Sequence, residues 1–226
     1  ITYGLSSQAD YTARNISIDG LKTYFNVFRF GKDLGRIRSG ALGQHNILNT
    51  LAAVAVGIEL DLDFKTIADS LLQFEGVQRR FEIVSQSGEL ILVDDYGHHP
   101  VEIKASLKTA KEVWPSSRLI VIFQPHRYSR TKALIKDFWS AFNDADHLFV
   151  MDIYSAGENP IDKVHASSIV EGVRKCGHKN TKYIENNNDL NKYLLTLTKH
   201  GDVLMTLGAG DVWKLGRNFL GVKFSK

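Results

Sequence analysis

Two carboxylates, a phenol and two imidazoles fall within seven residues, Asp94-Asp95-Tyr96-Gly97-His98-His99-Pro100. Carboxylates and imidazoles move protons near neutral pH, and both ligate metal ions. The stretch follows an apolar run at 90–93 that reads as a strand after a turn at Ser87-Gly88. It precedes 101–114, where Ile103, Leu107, Ala110 and Trp114 recur at helical spacing. Pro100 suits the first helical turn, where its missing N–H would be unpaired anyway. Five polar groups therefore sit in a strand-to-helix turn, where side chains usually face a ligand. Asp94 and Asp95 read as an acid–base pair or, preferably, as one functional aspartate beside an ordinary turn carboxylate. His98 and His99 invite a metal together with Asp94, Asp95 or His126. Adjacent side chains diverge, so a substrate-contacting histidine is the better reading, a structural histidine the next, and no metal site is expected.

A second polar run, Gln124-Pro125-His126-Arg127-Tyr128-Ser129-Arg130, follows the apolar run 119–123. Arg127 and Arg130 stand at the mouth of a helix expected over 130–142, with Leu134, Phe138 and Ala141 inward. Guanidinium groups beside helix N–H donors suit a carboxylate or phosphate; the alternative is surface arginines paired with nearby acids. Further strand ends at 147–151 and 203–207 carry Asp152 to Glu158 and Gly208 to Asp211. If these strands are parallel, all four loops line the carboxyl rim of one sheet, where open α/β sheets bind ligands. Gly208-Ala209-Gly210 lacks the third glycine of a dinucleotide fingerprint, since Trp213 stands there, and reads better as a tight turn. Asn46 and Asn49, one turn apart with Ala53 on a helix from His45 to about Glu59, could bond an adenine edge as amides do in DNA recognition. Taken alone, helix capping by Asn46 and a solvated Asn49 are preferred.

The elements that must position these groups fall into two regions. Residues 1–40 read as strands at 11–18, 23–30 and 34–37, with turns at Asp19-Gly20 and Gly31-Lys32-Asp33. Leu48, Leu51, Ala52 and Ala55 mark the apolar stripe of the first helix, and Asp63 caps a second running to Phe74. After a boundary at 75–81, strands at 82–84, 90–93, 119–123, 147–151, 182–184 and 203–207 alternate with helices, including 167–176, 190–198 and one from Asp211. Asn186-Asn187-Asn188 reads as a turn. This alternation implies an α/β fold with a mostly parallel sheet covered by helices on both faces, preceded by a smaller strand-and-helix region.

Composition bounds the function classes. The chain has 226 residues, 43% hydrophobic and 23% charged, as in a globular protein. A net charge of +3 gives no case for nucleic acid as a partner. The single cysteine excludes an internal disulfide, no apolar stretch nears the ~18–20 residues of a membrane span, and no signal peptide is evident. The sequence begins at Ile1 within strand-like residues and reads as a piece of something longer.

Six blocks in order resemble the Mur ligase family, and the alanine-adding branch of it in particular: GQHNILN at 43–49, GVQRRF at 76–81, DDYGHHP at 94–100, FQPHRYSR at 123–130, DIYSAGE at 152–158 and GAGD at 208–211. The resemblance implies that 1–76 is the end of a central ATP-binding domain and 77–226 a C-terminal dinucleotide-fold domain. It implies a bacterial, cytoplasmic, ATP-dependent ligase of cell-wall precursor synthesis that joins L-alanine to UDP-N-acetylmuramate through an acyl phosphate. By resemblance, His45, Asn46, Asn49 and Arg80 meet ATP, reversing the preference stated for the asparagines. Asp95, Tyr96 and His98 face ATP and the muramoyl substrate, and His126, Arg127 and Arg130 hold alanine's carboxylate or the acyl phosphate. Asp95, His98 and Arg127 are the expected catalytic set. The family's phosphate loop and Mg2+ ligands would lie upstream, so this stretch is not expected to be a ligase alone, and 75–81 would be a hinge. Rival readings are a ligase attaching a recycled tripeptide to the same nucleotide sugar, a non-catalytic nucleotide- or anion-binding module, and a metal-dependent hydrolase.

Overall fold

Period-two alternation builds the first sheet. Four strands, β1 (Tyr3–Gly4), β2 (Tyr11–Asp19), β3 (Lys22–Arg29) and β4 (Lys32–Ser39), lie in that order, β1 parallel to β2 and the others antiparallel. Tyr11, Ala13, Phe25, Val27 and Ile37 point inward, against Ile47, Leu51, Val54 and Ala55 of α1 (Gln44–Glu59) and Ile67 of α2 (Phe64–Gln73). The α1 stripe is rotated from the expected one: Leu48 and Ala52 are only half-buried. Ile47, Leu51 and Val54 occupy the i, i+4, i+7 row that the sheet selects. Lys32 and Asp33, expected in a turn, open β4 instead. The hairpin turns at Phe30 (φ 47°) and Gly31 (φ 80°), both left-handed as its tight geometry demands. Asp63 caps α2 as expected, accepting from Thr66 N at 3.0 Å.

The structure is a computed structural model in which residues 1–74, 76–86 and 89–224 are described, without the side chains of 222–224. The expected turn at Ser87-Gly88, and Glu75 of the boundary segment, lie outside the described residues. The chain divides into two compact units, Ile1–Val77 and Gln78–Lys226.

The second unit carries the α/β alternation. Its strands are β5 (Glu82–Gln86), β6 (Leu90–Asp95), β7 (Leu119–Phe123), β8 (His147–Met151), β9 (Thr181–Ile184) and β10 (Asp202–Leu207). They lie in the order β5-β6-β10-β7-β8-β9, all parallel except the antiparallel edge strand β5. Every residue of β6, β7 and β10 is buried, as strands covered on both faces must be. On one face Leu92, Ile122, Phe149 and Leu204 meet Leu190 and Leu194 of α7 (Asn187–Leu197) and Phe219 of α8 (Trp213–Phe224). On the other, Phe123 meets Phe138 and Phe142 at ring separations of 5.5 and 5.1 Å. The helices α3 (Pro100–Val113) and α6 (Ser167–Lys175) complete the alternation.

Local departures from the sequence reading have local causes. The helix expected over 130–142 begins two residues earlier and splits into α4 (Tyr128–Ala133) and α5 (Ile135–Trp139), with Leu134 at φ −108° between them. No glycine or proline announces that break. Asn186-Asn187-Asn188 is a helix start rather than a turn: Asn186 caps α7, accepting from Asn188 N at 2.8 Å. Among the described residues no helix is long and apolar enough to cross a membrane.

Candidate functional site

The parallel register brings the carboxyl ends of β6, β10, β7 and β8 to one edge, as the spacing of polar loops implied. A row of rings runs along that edge. Tyr96 lies edge-on to His98 at 5.5 Å, His98 stands 5.6 Å from His126, and His126 stacks on Tyr154 at 5.6 Å and 10°. Three loops distant in sequence thus meet side by side. The 125–127 segment is sewn to the next loop by two backbone bonds, Tyr154 N to Pro125 O and Arg127 N to Tyr154 O, each 2.8 Å. That attachment holds Arg127 at φ 72°, a conformation costing a non-glycine residue about 1–3 kcal/mol. Arg79, Phe81 and Ala156 on the same rim also have positive φ. Strain of this kind concentrates where backbone is held for a purpose.

Asp94 and Asp95 do not face a ligand as expected. Strand β6 runs on through both, leaving them 1% and 3% exposed. Asp94 pairs with Arg79 Nε at 3.0 Å and accepts from Thr206 Oγ1 at 2.6 Å. Burial nevertheless raises its pKa, with the bonds to Thr206 and Arg79 pulling the other way. Asp95 Oδ2 accepts from Phe81 N at 2.8 Å, and its Oδ1 from Gly97 N at 2.6 Å. Both of its oxygens are committed to backbone, so Asp95 shapes the turn rather than standing open to reacting atoms.

Glu102 has a similar role at the start of α3. Its Oε2 accepts from His98 N at 3.0 Å and His99 N at 3.1 Å, while the His99 ring caps Val101 N. Burial pushes the Glu102 carboxyl up, but these two N–H bonds and the charges of His98 and Arg80 outweigh it and hold the group below its ordinary value. Glu102 escaped the sequence reading, although its place three residues after a helix cap is a capping-box signal. Arg79 escaped too. Besides Asp94 it bonds Gly208 O at 2.6 Å and lies 5.0 Å over the Tyr96 ring. Arg80 is exposed, 5.5 Å over the same ring.

The Gly208–Gly210 turn is tight because Gln124 fills it. Gln124 Oε1 accepts from Asp211 N and Val212 N at 3.1 and 3.2 Å. A Cβ at Gly210 would lie 2.4 Å from that oxygen and 2.7 Å from the Tyr154 ring. The expected anion site at the α4 N-terminus is already taken. Glu158 accepts from Ser129 N at 2.9 Å and from Ser129 Oγ at 2.6 Å. What remains open is the exposed Arg127 guanidinium, with Arg130 half-buried behind it. Burial lowers the pKa of both His98 and His126, and for His126 the charges of His98, Arg130 and Arg127 add to it. The rim therefore offers an exposed cation and two neutral imidazoles at neutral pH, a setting for an anionic group next to a proton-transferring one.

In the first unit, His45, Asn46 and Asn49 open α1. Asn46 Nδ2 donates to Leu42 O at 2.8 Å, and Asn49 Nδ2 to Asn46 Oδ1 at 3.3 Å. The capping residue is Gly43, with no side-chain cap. Asn49 is exposed and its Oδ1 has no partner among the described residues, so it can still present an acceptor. Among the described residues no group of three or more His, Cys, Asp or Glu is arranged to hold a metal ion, and the histidine–aspartate hydrolase loses its motivating cluster.

Comparison with known proteins agrees with this geometry. The family model described as "Mur ligase, glutamate ligase domain" matches residues 79–210, and that described as "Mur ligase middle domain" matches 1–57. A UDP-N-acetylmuramate–L-alanine ligase of Desulfosudis oleivorans is 50% identical over 220 residues, 97% of this chain and 48% of that protein. The crystal structure of a UDP-N-acetylmuramate–alanine ligase from Thermotoga maritima superposes with a TM-score of 0.84 at 29% identity, covering 100% of this chain and 48% of that one. A murein peptide ligase from Psychrobacter arcticus shares the fold at a TM-score of 0.67 and 22% identity, covering 97% and 45%. The chain spans about half the length of the relatives it matches. With the larger family model covering more than half of the sequence and the rim built from the motifs that suggested it, the chain belongs to the Mur ligase family.

Proposed function

We propose that this chain forms the central-domain remainder (1–76) and C-terminal domain (77–226) of an ATP-dependent ligase that joins L-alanine to UDP-N-acetylmuramate. In the proposed reaction ATP phosphorylates the muramoyl carboxylate and the alanine amine attacks the acyl phosphate, releasing phosphate. The observation that carries the reading is the rim of the second unit: an exposed Arg127 guanidinium beside neutral His126 and His98, assembled from three motif loops. Arg127 binds the alanine carboxylate, and its strained backbone aims it. Tyr96, His98 and His126 line the reacting region, and Asp95 holds the Tyr96–His98 turn in shape. His45, Asn46 and Asn49, with Arg80, are assigned to ATP. Magnesium is assigned to no residue of this chain. ATP and a nucleotide sugar make the proposed reaction cytoplasmic.

The test is coupled phosphate release with ATP, magnesium, UDP-N-acetylmuramate and L-alanine. It uses this sequence as it stands and the same sequence extended upstream through a phosphate-binding loop. Turnover by the extended protein, with Arg127→Ala raising the alanine KM about a hundredfold, supports the reading; a lost charged hydrogen-bond pair costs about 2–3 kcal/mol. Turnover with a tripeptide but not with alanine assigns the chain to the other branch. Phosphate release with neither, while nucleotide still binds, leaves a binding module.

A further inference from the structure

The two central imidazoles are anchored by groups of opposite hydrogen-bonding character. Arg130 Nη1 lies 3.2 Å from His126 Nδ1. A guanidinium has only donors, so His126 Nδ1 must present a lone pair and the neutral ring carries its proton on Nε2. His98 Nδ1 lies 3.0 Å from Tyr96 O. A carbonyl only accepts, so here the proton is on Nδ1 and the neutral ring keeps a lone pair on Nε2. The ring centroids are 5.6 Å apart. Side by side, then, stand one Nε2 donor and one Nε2 acceptor.

Resting on the ligase reading, we propose that His98 and His126 form a donor–acceptor couple for an incoming α-amino acid, in which His98 Nε2 accepts the ammonium proton and Arg130 is the positioning residue that sets His126 as the donor. The step balances: an N–H bond of the ammonium breaks, its electron pair stays on nitrogen, and the proton bonds His98 Nε2. The free amine then attacks the acyl carbon, the carbonyl pair moving onto oxygen. As that pair returns, phosphate leaves with the C–O bonding pair, and the second N–H proton of the former ammonium goes to the departing phosphate. The new imidazolium meets Tyr96 O and, 3.8 Å from its Nδ1, the Glu102 carboxylate. Arg80, Arg130 and His126 face the same ring and oppose the charge, so the imidazolium gives its Nε2 proton up to solvent water; Arg127, Glu158 and Tyr154 face His126. This makes Arg130 a residue that acts through His126, rather than a second clamp on the carboxylate.

Imidazole proton–nitrogen correlation spectra of the 15N-labelled 226-residue chain at mildly alkaline pH read the tautomers directly. His98 is expected as the Nδ1–H form, the less common one for free neutral imidazole, and His126 as the Nε2–H form. Arg130→Met is expected to release His126 into tautomer averaging and leave His98 unchanged. Nε2–H at His98, or an unaltered His126 in Arg130→Met, overturns the couple whatever the protein's activity. In the extended protein, His98→Gln should lower kcat by about a hundredfold or more and remove the acidic limb of the kcat/KM profile for alanine. Arg130→Met should lower kcat about tenfold with little change in alanine KM, whereas a carboxylate clamp would raise KM. A retained acidic limb in His98→Gln refutes the proton transfer. Spectra as expected without any alanine turnover would refute the ligase reading while leaving the couple in place.

Discussion

Removing the Arg79 side chain should strand a buried charge. The side chain of Arg79 is 22% exposed and that of its partner Asp94 2%, so replacing Arg79 with methionine leaves the carboxylate with Thr206 as its remaining side-chain partner among the described residues. Breaking such a pair from one side costs about 3–5 kcal/mol. The chain has an escape, which is to protonate Asp94. Neutralising an ordinary carboxylate costs ~1.36 kcal/mol per pH unit above a pKa of about 3.9, a ceiling of about 4 kcal/mol at pH 7 and about 1.5 at pH 5. The lost bond to Gly208 O adds about 1 kcal/mol at either pH. The expected destabilisation is therefore about 3–5 kcal/mol at pH 7 and about 2 at pH 5.

The sign follows from proton linkage. The folded pKa of Asp94 is already raised by burial, so between its unfolded value and that raised value the folded state binds more protons. Its contribution to stability falls as pH rises through that window, and Arg79→Met carries the window upward. Trp114, Trp139 and Trp213 all lie in the second unit, so tryptophan fluorescence melts report on it selectively. At about 2–4 °C per kcal/mol, the Tm should drop by roughly 6–20 °C at pH 7 and markedly less at pH 5. Arg79→Met/Asp94→Asn should recover much of the loss. A cost below about 1 kcal/mol at pH 7, equal costs at both pH values, or a double variant no better than the single one would refute the buried-pair reasoning.

Three further outcomes are expected. In Gly172→Ala the new Cβ would lie 1.9 Å from Trp139 Nε1, so a loss of about 2–3 kcal/mol and a shifted tryptophan emission should appear in a denaturant melt. Tyr11 donates to Glu59 at 2.8 Å, and burial pushes its pKa up to about 12. The folded state then holds its proton where the unfolded chain has lost it, so stability falls as pH rises from 10 to 12. Tyr11→Phe should remove a late-titrating phenol from an absorbance titration and cost about 1 kcal/mol. Glu158 is held below its ordinary pKa by the Ser129 hydroxyl and N–H, so its tie to the Arg127 turn is present above the unfolded carboxylate value and lost as pH falls through the folded one. Glu158→Gln should accordingly speed amide exchange at Ser129 at neutral pH and abolish its acid dependence.

Much of the architecture was legible because it rests on local periodicity. The apolar runs at 119–123 and 147–151 coincide with β7 and β8, and their parallel pairing put His126 and Tyr154 side by side without further information. What stayed hidden depends on where a strand stops or how a helix is rotated. Nothing in Val93-Asp94-Asp95 says that pairing with β10 continues to Leu207↔Asp95, since aspartate is a poor strand former and reads as loop. The rotation of α1 likewise depends on which of several adjacent apolar residues the sheet accepts. The occupation of the α4 N-terminus by Glu158 joins residues 29 apart, beyond any local pattern.

The same reasoning separates two kinds of motif residue that sequence alone cannot tell apart. In DDYGHHP, the aspartates face inward as a clasp. Asp94 ties β6 to Arg79 and, through it, to the turn after β10, and Asp95 ties Phe81 and Gly97 to the strand end. Tyr96 and His98 are what that clasp presents, because Gly97 N is fixed by Asp95 and His98 N by Glu102. A motif can therefore be demanding at every position while only some of its residues touch a ligand. Polar groups with both oxygens spent on backbone act through geometry, and their substitution should disturb stability and the His98 tautomer together. Arg127, exposed and carrying its strain in the backbone, should lose ligand affinity on truncation to alanine with little change in stability. That contrast between coupled and uncoupled losses is what distinguishes a clasp from a contact at this rim.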